Sequence, residues 1–306
     1  FLILGHIISM SIFPDQSLRG LFIGFFTVLA VALLAIFSYS THGGVITIAG
    51  ILLLVIFCLN LEIGLYLTIF ALPVINWNVY LKGLIIPASD LFGLLLLTAF
   101  VGRFVFFKLF PSNQIKEKIS KIRLPFILPF ICFFVVAVIS SLLSKEPLEA
   151  VWYTVRWILF FYTAFVVIPV NIISDEKILK RSLWSFVLSA SIIALIGAYS
   201  LFLQDWQHTF VRVQPIQMFN MFPVGENQNL IAEFLVVGVF FAIALKFLSQ
   251  GIMTKKLLTL TALFLIFISV LTFSRAAWIV LFIQILLYIW YQTRISRKQY
   301  IVILFI

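Results

Sequence analysis

Apolar runs about as long as a bilayer is thick recur along this chain, and they limit its fold more than any other feature. Leu21–Tyr39, Leu124–Leu143, Leu183–Leu203 and Leu230–Phe247 are each near the ~20 residues that a helix needs to cross a ~30 Å hydrocarbon core. Val45–Leu59 and Leu61–Ile75 follow the first of these, the second short and interrupted by Pro73; Leu148–Ile173, Leu257–Phe273 and Ala276–Tyr291 are further spans, and another helix is expected from Ser89 to about Phe107. In hydrocarbon every backbone N–H and C=O must be bonded within the protein, so such runs are helices. The reading is ten spans, with Tyr300–Ile306 beginning one that is cut short. Phe1–Phe13 is shorter, ends at Pro14-Asp15, and fits either the end of an earlier span or an interfacial piece. The fold expected is an all-α polytopic membrane bundle, a single integral membrane domain over residues 1–306.

Composition agrees. Hydrophobic residues make up 63% of the 306 and charged residues 10%, against about half and about a quarter in soluble domains. The net charge of +10 is better explained by anchors on a cytoplasmic membrane face than by nucleic acid, because no basic cluster interleaves with stacking aromatics on a soluble segment. Cys58 and Cys132 lie in apolar runs without paired spacing, and His6, His42 and His208 are scattered. No metal site, disulfide or bound nucleotide is indicated, and no cofactor is expected.

The connections carry the remaining information. Asn76–Asp90 holds Trp77, Tyr80 and Lys82, a composition suited to a membrane–water interface. Ser89 is expected to cap the next helix, with Asp90 in its first turn. Lys108–Arg123 is the most hydrophilic segment, Ser144–Pro147 a short turn, and Ser174–Ser182 a charged turn. Gln204–Asn229 is a long loop, and Gln250–Lys256 a turn ending in two lysines.

Lys and Arg distribution orients the spans. Arg103, Lys108, Lys116, Lys118, Lys121 and Arg123 fall on one side. So do Lys177, Lys180 and Arg181, then Lys246, Lys255 and Lys256, then Arg294, Arg297 and Lys298. The opposite side of the same region holds only Lys82, Lys145, Arg212 and Arg275. By the positive-inside rule the first side is cytoplasmic. Arg212 and Arg275 are then external, where arginine is scarce.

These two arginines are the main candidates for chemistry. A guanidinium binds phosphate through a bidentate fork and stays charged at any working pH. The competing explanations are a snorkelling anchor for Arg275 and a solvated loop residue for Arg212. Arg156 lies about 12 Å inside its helix, deep enough to require a polar cavity or a partner; Glu149, two turns earlier, is a candidate to share that cavity. Glu233 shares a helix face with Glu226 and Asn229, and is either a base or arginine partner or simply an exposed first-turn acid. His208 has no visible partner as a general base.

At these residues the chain resembles the O-antigen ligase and polymerase superfamily of bacterial membrane glycosyltransferases. That family has an external R-x-x-G-x-F-x-N-P-N-x-L-A element leading into a helix; Arg212, Phe222, Asn227, Asn229, Leu230 and Ala232 stand here in that order. Its S-R-G/A-A-W element between two later spans is matched by Ser274, Arg275, Ala276, Ala277 and Trp278. Ile86–Leu95 resembles the family's helix start after an early hairpin. Gln228 replaces the proline, Glu226 precedes the asparagines, and the spacing from Arg212 is longer.

The resemblance implies a GT-C-like bundle in a bacterial inner membrane with its active face external. It implies transfer of a glycan from a polyprenyl-diphosphate carrier to a hydroxyl of a lipid or glycan acceptor, among membrane lipids, with no metal and no nucleic acid. Arg212 and Arg275 would be catalytic. Arg156, Asn227, Asn229, Glu233, Ser274 and Trp278 would bind substrate. The family's large external loop, with a histidine and the expected general base, would follow the last run, so the chain is read as a fragment lacking that loop and the C-terminal spans. The alternative from another class is a transporter or flippase for a polysaccharide precursor or anion, for which paired discontinuous helices and midplane polar groups are expected.

Overall fold

The computed structural model describes residues 43–74, 77–81, 84–109, 122–204, 211–217 and 222–293. The expected segments Phe1–Phe13, Leu21–Tyr39 and Tyr300–Ile306 lie outside these residues, as do the three histidines and Lys82, Lys116, Lys118, Lys121, Arg294, Arg297 and Lys298.

Among the described residues the chain is helical apart from one hairpin. The helices are α1 (Gly43–Leu59), α2 (Leu61–Ala71), α3 (Ala88–Leu109) and α4 (Ile127–Leu142), then α5 (Pro147–Ile172), α6 (Glu176–Phe202), α7 (Gln228–Leu248), α8 (Ile252–Leu271) and α9 (Arg275–Thr293). The strands β1 (Asn78–Leu81) and β2 (Leu84–Pro87) pair antiparallel, Asn78 opposite Pro87 and Val79 opposite Ile86. This hairpin occupies the segment read above as interfacial, directly ahead of the helix start that the resemblance places after an early hairpin.

Among the described residues five helices, α3 and α5 to α8, are long and apolar enough to cross a membrane; α2 and α4 are shorter apolar helices, and α1 and α9 are apolar over Thr47–Leu59 and Arg275–Ile289. Each of the nine expected spans that fall among the described residues is a helix, and five of these helices are long and apolar enough to cross a membrane. α2 illustrates the difference. Asn60 starts it by accepting from the N–H groups of Glu62 and Ile63, and it closes at Ala71, ahead of Pro73, after 11 residues. That is roughly 16 Å, about half the hydrocarbon thickness.

Helix ends correct three further expectations. α3 begins at Ala88, so Ser89 lies inside the helix and does not cap it. The charged stretch 174–182 is not a turn throughout. α6 starts at Glu176, where an acid favours the helix dipole, and Lys180 pairs with Glu176 at 2.7 Å. Lys255 and Lys256 likewise belong to the first turn of α8.

The described residues gather in two compact units, one within residues 43–72 and 78–182, the other within 73–77 and 183–293. In the first, α1, α2 and α3 share a core with the end of α5, built on Leu53, Phe57, Leu65, Leu96 and Ile168. Gly64 lets α2 approach α1: a Cβ there would lie 2.9 Å from the Phe57 ring. α4 is held to α5 by the Phe130–Tyr162 ring stack, by the Tyr162 hydroxyl donating to the Pro125 carbonyl at 2.6 Å, and by the Ser141–Thr154 hydroxyl pair at 2.6 Å. α5 is π-helical over Val155–Phe160 and Thr163–Val167. Such wide turns inside α-helices occur frequently at functional sites.

In the second unit, α6 and α8 pack on α7. Gly238 of α7 takes α6 closely enough that a Cβ would meet the Ala190 Cβ at 2.7 Å. Val187, Ala242, Leu245, Leu258 and Ala262 form a small core between the first half of α6, the second half of α7 and the first half of α8. α6 and α8 thus run antiparallel to α7. Large apolar side chains stand exposed along the helices of both units, among them Val136 of α4, Phe267 of α8 and Ile279 of α9. Water would not tolerate that surface, whereas lipid chains match it.

Candidate functional site

One end of the second unit collects the elements that the sequence singled out. α6 ends there, and its last polar side chains hold the loop that carries Arg212. The Gln204 amide clamps the Arg212 backbone from both sides: Nε2 donates to the Arg212 carbonyl at 2.6 Å, and Oε1 accepts from the Arg212 N–H at 3.2 Å. The next residue, Val213, is fully buried and donates its N–H to the Leu271 carbonyl at the end of α8, 2.9 Å away. Gln214 donates its N–H to the Ser200 Oγ at 3.0 Å. Gly197 makes room for this segment, since a Cβ there would lie 3.0 Å from the Val213 side chain.

Arg212 is therefore fixed at its backbone, unlike a solvated loop residue. Three consecutive residues carry tertiary hydrogen bonds, each contributing about 0.5–1.5 kcal/mol net. Gln204→Ala should raise amide exchange across Arg212–Gln214 by about tenfold, measured by hydrogen–deuterium exchange on the purified protein. Unchanged exchange would show that the clamp is incidental.

The Val213–Leu271 bond sets this loop beside the second motif. After Leu271 the chain turns sharply into α9. Thr272 Oγ1 donates to the Ser269 carbonyl at 2.6 Å, Phe273 takes φ +55°, and the Ser274 N–H donates to Thr272 Oγ1 at 3.3 Å. Ser274 is buried at the head of α9, and its carbonyl accepts from the Trp278 N–H. Trp278 folds back over the corner, its indole N–H donating to the Val270 carbonyl at 3.2 Å. Arg275 is exposed on the first turn of α9, four residues beyond Leu271.

The head of α7 lies at a similar level. The Gln284 Nε2 of α9 donates to the Val236 carbonyl of α7 at 3.1 Å. These residues lie about 12–14 Å into their helices, so α7 and α9 begin together. Asn227 caps α7, its side chain accepting from the Asn229 N–H at 2.9 Å. Gly225 takes φ +104° beneath Leu230, and a Cβ there would lie 2.2 Å from the Leu230 Cδ1. Glu226, Asn227, Asn229 and Glu233 are exposed around this head.

This end carries charges of both signs, Arg212 and Arg275 beside Glu226 and Glu233. Among the described residues neither Arg212 nor Arg275 has an ion-pair partner, although Glu226 and Glu233 occur in the same unit. Helix heads carry partial positive charge, and a cation in the first turn is disfavoured by about 0.3–1 kcal/mol. Arg275 breaks that local rule. An anion placed beside Arg212 and Arg275 would be favoured by their guanidiniums and by the two helix heads, and opposed by the Glu226 and Glu233 carboxylates.

Arg156 lies elsewhere, in the first unit. Its Nε and Nη2 donate to Asp90 Oδ2 at 2.9 and 2.6 Å, and its guanidinium lies 5.0 Å from the Trp157 ring centroid. Its carboxylate partner is thus Asp90 and not Glu149, which is exposed. The sequence marked Asp90 as a first-turn acid, and nothing local linked two residues 66 positions apart. Ser200 and Gln204 were missed altogether, because polar residues ending an apolar run carry no distinctive pattern. His208, weighed as a base, lies outside the described residues.

These helices and their exposed apolar flanks define a multi-pass α-helical membrane protein. No protein-family model, curated protein or solved structure matches the chain.

Proposed function

We propose that the protein is a membrane glycosyltransferase of the O-antigen ligase or polymerase type, with a GT-C-like bundle in a bacterial inner membrane. It moves a glycan from a polyprenyl-diphosphate carrier to an acceptor hydroxyl on the external face. The observation that carries this reading is the Val213–Leu271 hydrogen bond. It joins the Arg212 loop to the Ser274–Trp278 corner at an end where the two guanidiniums have no ion-pair partner among the described residues.

In the reaction the acceptor oxygen attacks the anomeric carbon, the bond from that carbon to the diphosphate oxygen breaks, and the acceptor proton passes to a base. The leaving diphosphate gains negative charge, and arginines already aimed at it stabilise the transition state without reorganising. The apolar helix flanks accommodate the polyprenyl tail and thereby position the reacting carbon. Arg212 and Arg275 take the diphosphate. Asn227, Asn229, Glu233, Ser274 and Trp278 surround it from the heads of α7 and α9.

The test is transfer from a defined polyprenyl-diphosphate glycan by the full-length protein in proteoliposomes, with movement of the unreacted donor across the bilayer followed in parallel. Glycan product is expected. Donor movement without product would replace this reading with that of a flippase. Orientation is checked separately. In a Cys58→Ala/Cys132→Ala background, a cysteine at position 226 should react with an impermeant thiol reagent added to intact cells, and one at position 256 should not. The reverse pattern would place the arginine end in the cytoplasm.

A further inference from the structure

The opposite end of the second unit carries another feature. A cleft of about 150 Å³ opens between α7, α8 and α9, walled by apolar side chains including Val239, Ile243, Ala262 and Leu281. Lys246 and Tyr288 close its far end. The Lys246 ammonium donates to the Tyr288 hydroxyl at 3.4 Å and lies 5.7 Å from that ring's centroid. Lys255 and Lys256 are exposed on the first turn of α8, at the same end. No Asp or Glu follows Glu233 in the chain, so α8 and α9 offer these three lysines no carboxylate, and α7 carries only Glu233 near its other end.

We propose that this cleft is a binding site for an anionic phospholipid. One acyl chain lies along Val239, Ile243 and Leu281, and the phosphate sits against Lys246, with Lys255 and Lys256 adding attraction at the surface. The complementarity is twofold. The groove wall is hydrocarbon-like, and among the described residues no carboxylate of α8 or α9 offsets the charge at its end. A lysine close to lipid is stabilised when its ammonium meets a phosphate at headgroup level, and each such lysine contributes about fivefold in affinity for an anionic surface. The site is independent of the transfer chemistry, because it lies at the end of the unit away from Arg212 and Arg275.

The test uses the full-length protein, delipidated in mild detergent and titrated with dioleoyl phosphatidylglycerol or dioleoyl phosphatidylcholine, with bound lipid counted by native mass spectrometry. Wild type should prefer phosphatidylglycerol. Lys246→Gln should weaken phosphatidylglycerol binding about fivefold and leave phosphatidylcholine unchanged, while Lys246→Arg keeps the preference. Thr259 also lines the cleft, and Thr259→Trp, which fills it, should weaken both lipids. Equal affinity for the two lipids in wild type would overturn the proposal. So would equal losses in Lys246→Gln and Lys246→Arg, or competition by soluble glycerol 3-phosphate as effective as by the lipid.

Discussion

Replacing Arg275 with alanine should lower glycan transfer by about two to three decades, the loss expected when one preorganised contact to a developing charge is removed. The side chain is exposed and has no partner among the described residues, so its removal should leave the fold unchanged. The corner beneath it is held by Thr272, Phe273 and Trp278, none of which depends on the guanidinium. Arg275→Lys should also fail, because lysine keeps the charge but loses the planar bidentate fork that fits phosphate. Rates are compared at matched expression with a defined polyprenyl-diphosphate glycan. A near-wild-type rate for the alanine variant would make Arg275 a headgroup anchor.

The second large effect concerns stability. Asp90→Leu leaves the Arg156 guanidinium among apolar helices without its carboxylate. Breaking a fully buried pair costs about 3–5 kcal/mol; this one is partly open, with 30% of the Arg156 side chain exposed, so about 2–3 kcal/mol is expected. Arg156→Met should cost a similar amount. The double variant Asp90→Leu/Arg156→Met should recover much of the loss, since it leaves no unpaired charge. Thermal unfolding in detergent reads the cycle. Additive losses would show that the two side chains do not stabilise each other. Transfer by the double variant separates the two roles of Arg156: recovered stability with lost activity would assign it to substrate, and recovery of both would make it purely structural.

Hydrophobic runs were sufficient to place helices because a bilayer leaves a long apolar segment no other backbone solution. They did not place helix ends. Charge was read as loop, yet Glu176–Ser182 and Lys255-Lys256 are helical, since a helix continues through the interface and its first turn accepts charges in water. The run from Leu61 closes as a helix at Ala71, ahead of Pro73. At the site, the Lys and Arg distribution and the resemblance pointed to Arg212 and Arg275, but the bonds that bring their segments together were not legible. Gln204 to Arg212 and Val213 to Leu271 depend on backbone groups that every residue carries. The Asp90–Arg156 pair was invisible for a different reason: both residues had plausible local explanations, a helix dipole for one and a nearby glutamate for the other.

The central claim is that Arg212 and Arg275 form one diphosphate site. An experimental structure of the full-length protein bound to a polyprenyl diphosphate tests it most directly. The diphosphate should lie at the heads of α7 and α9, within hydrogen-bond distance of both guanidiniums, with its lipid tail leaving along the apolar helix flanks. A diphosphate bound beside Lys246 or Arg156, or touching neither Arg212 nor Arg275, would contradict it.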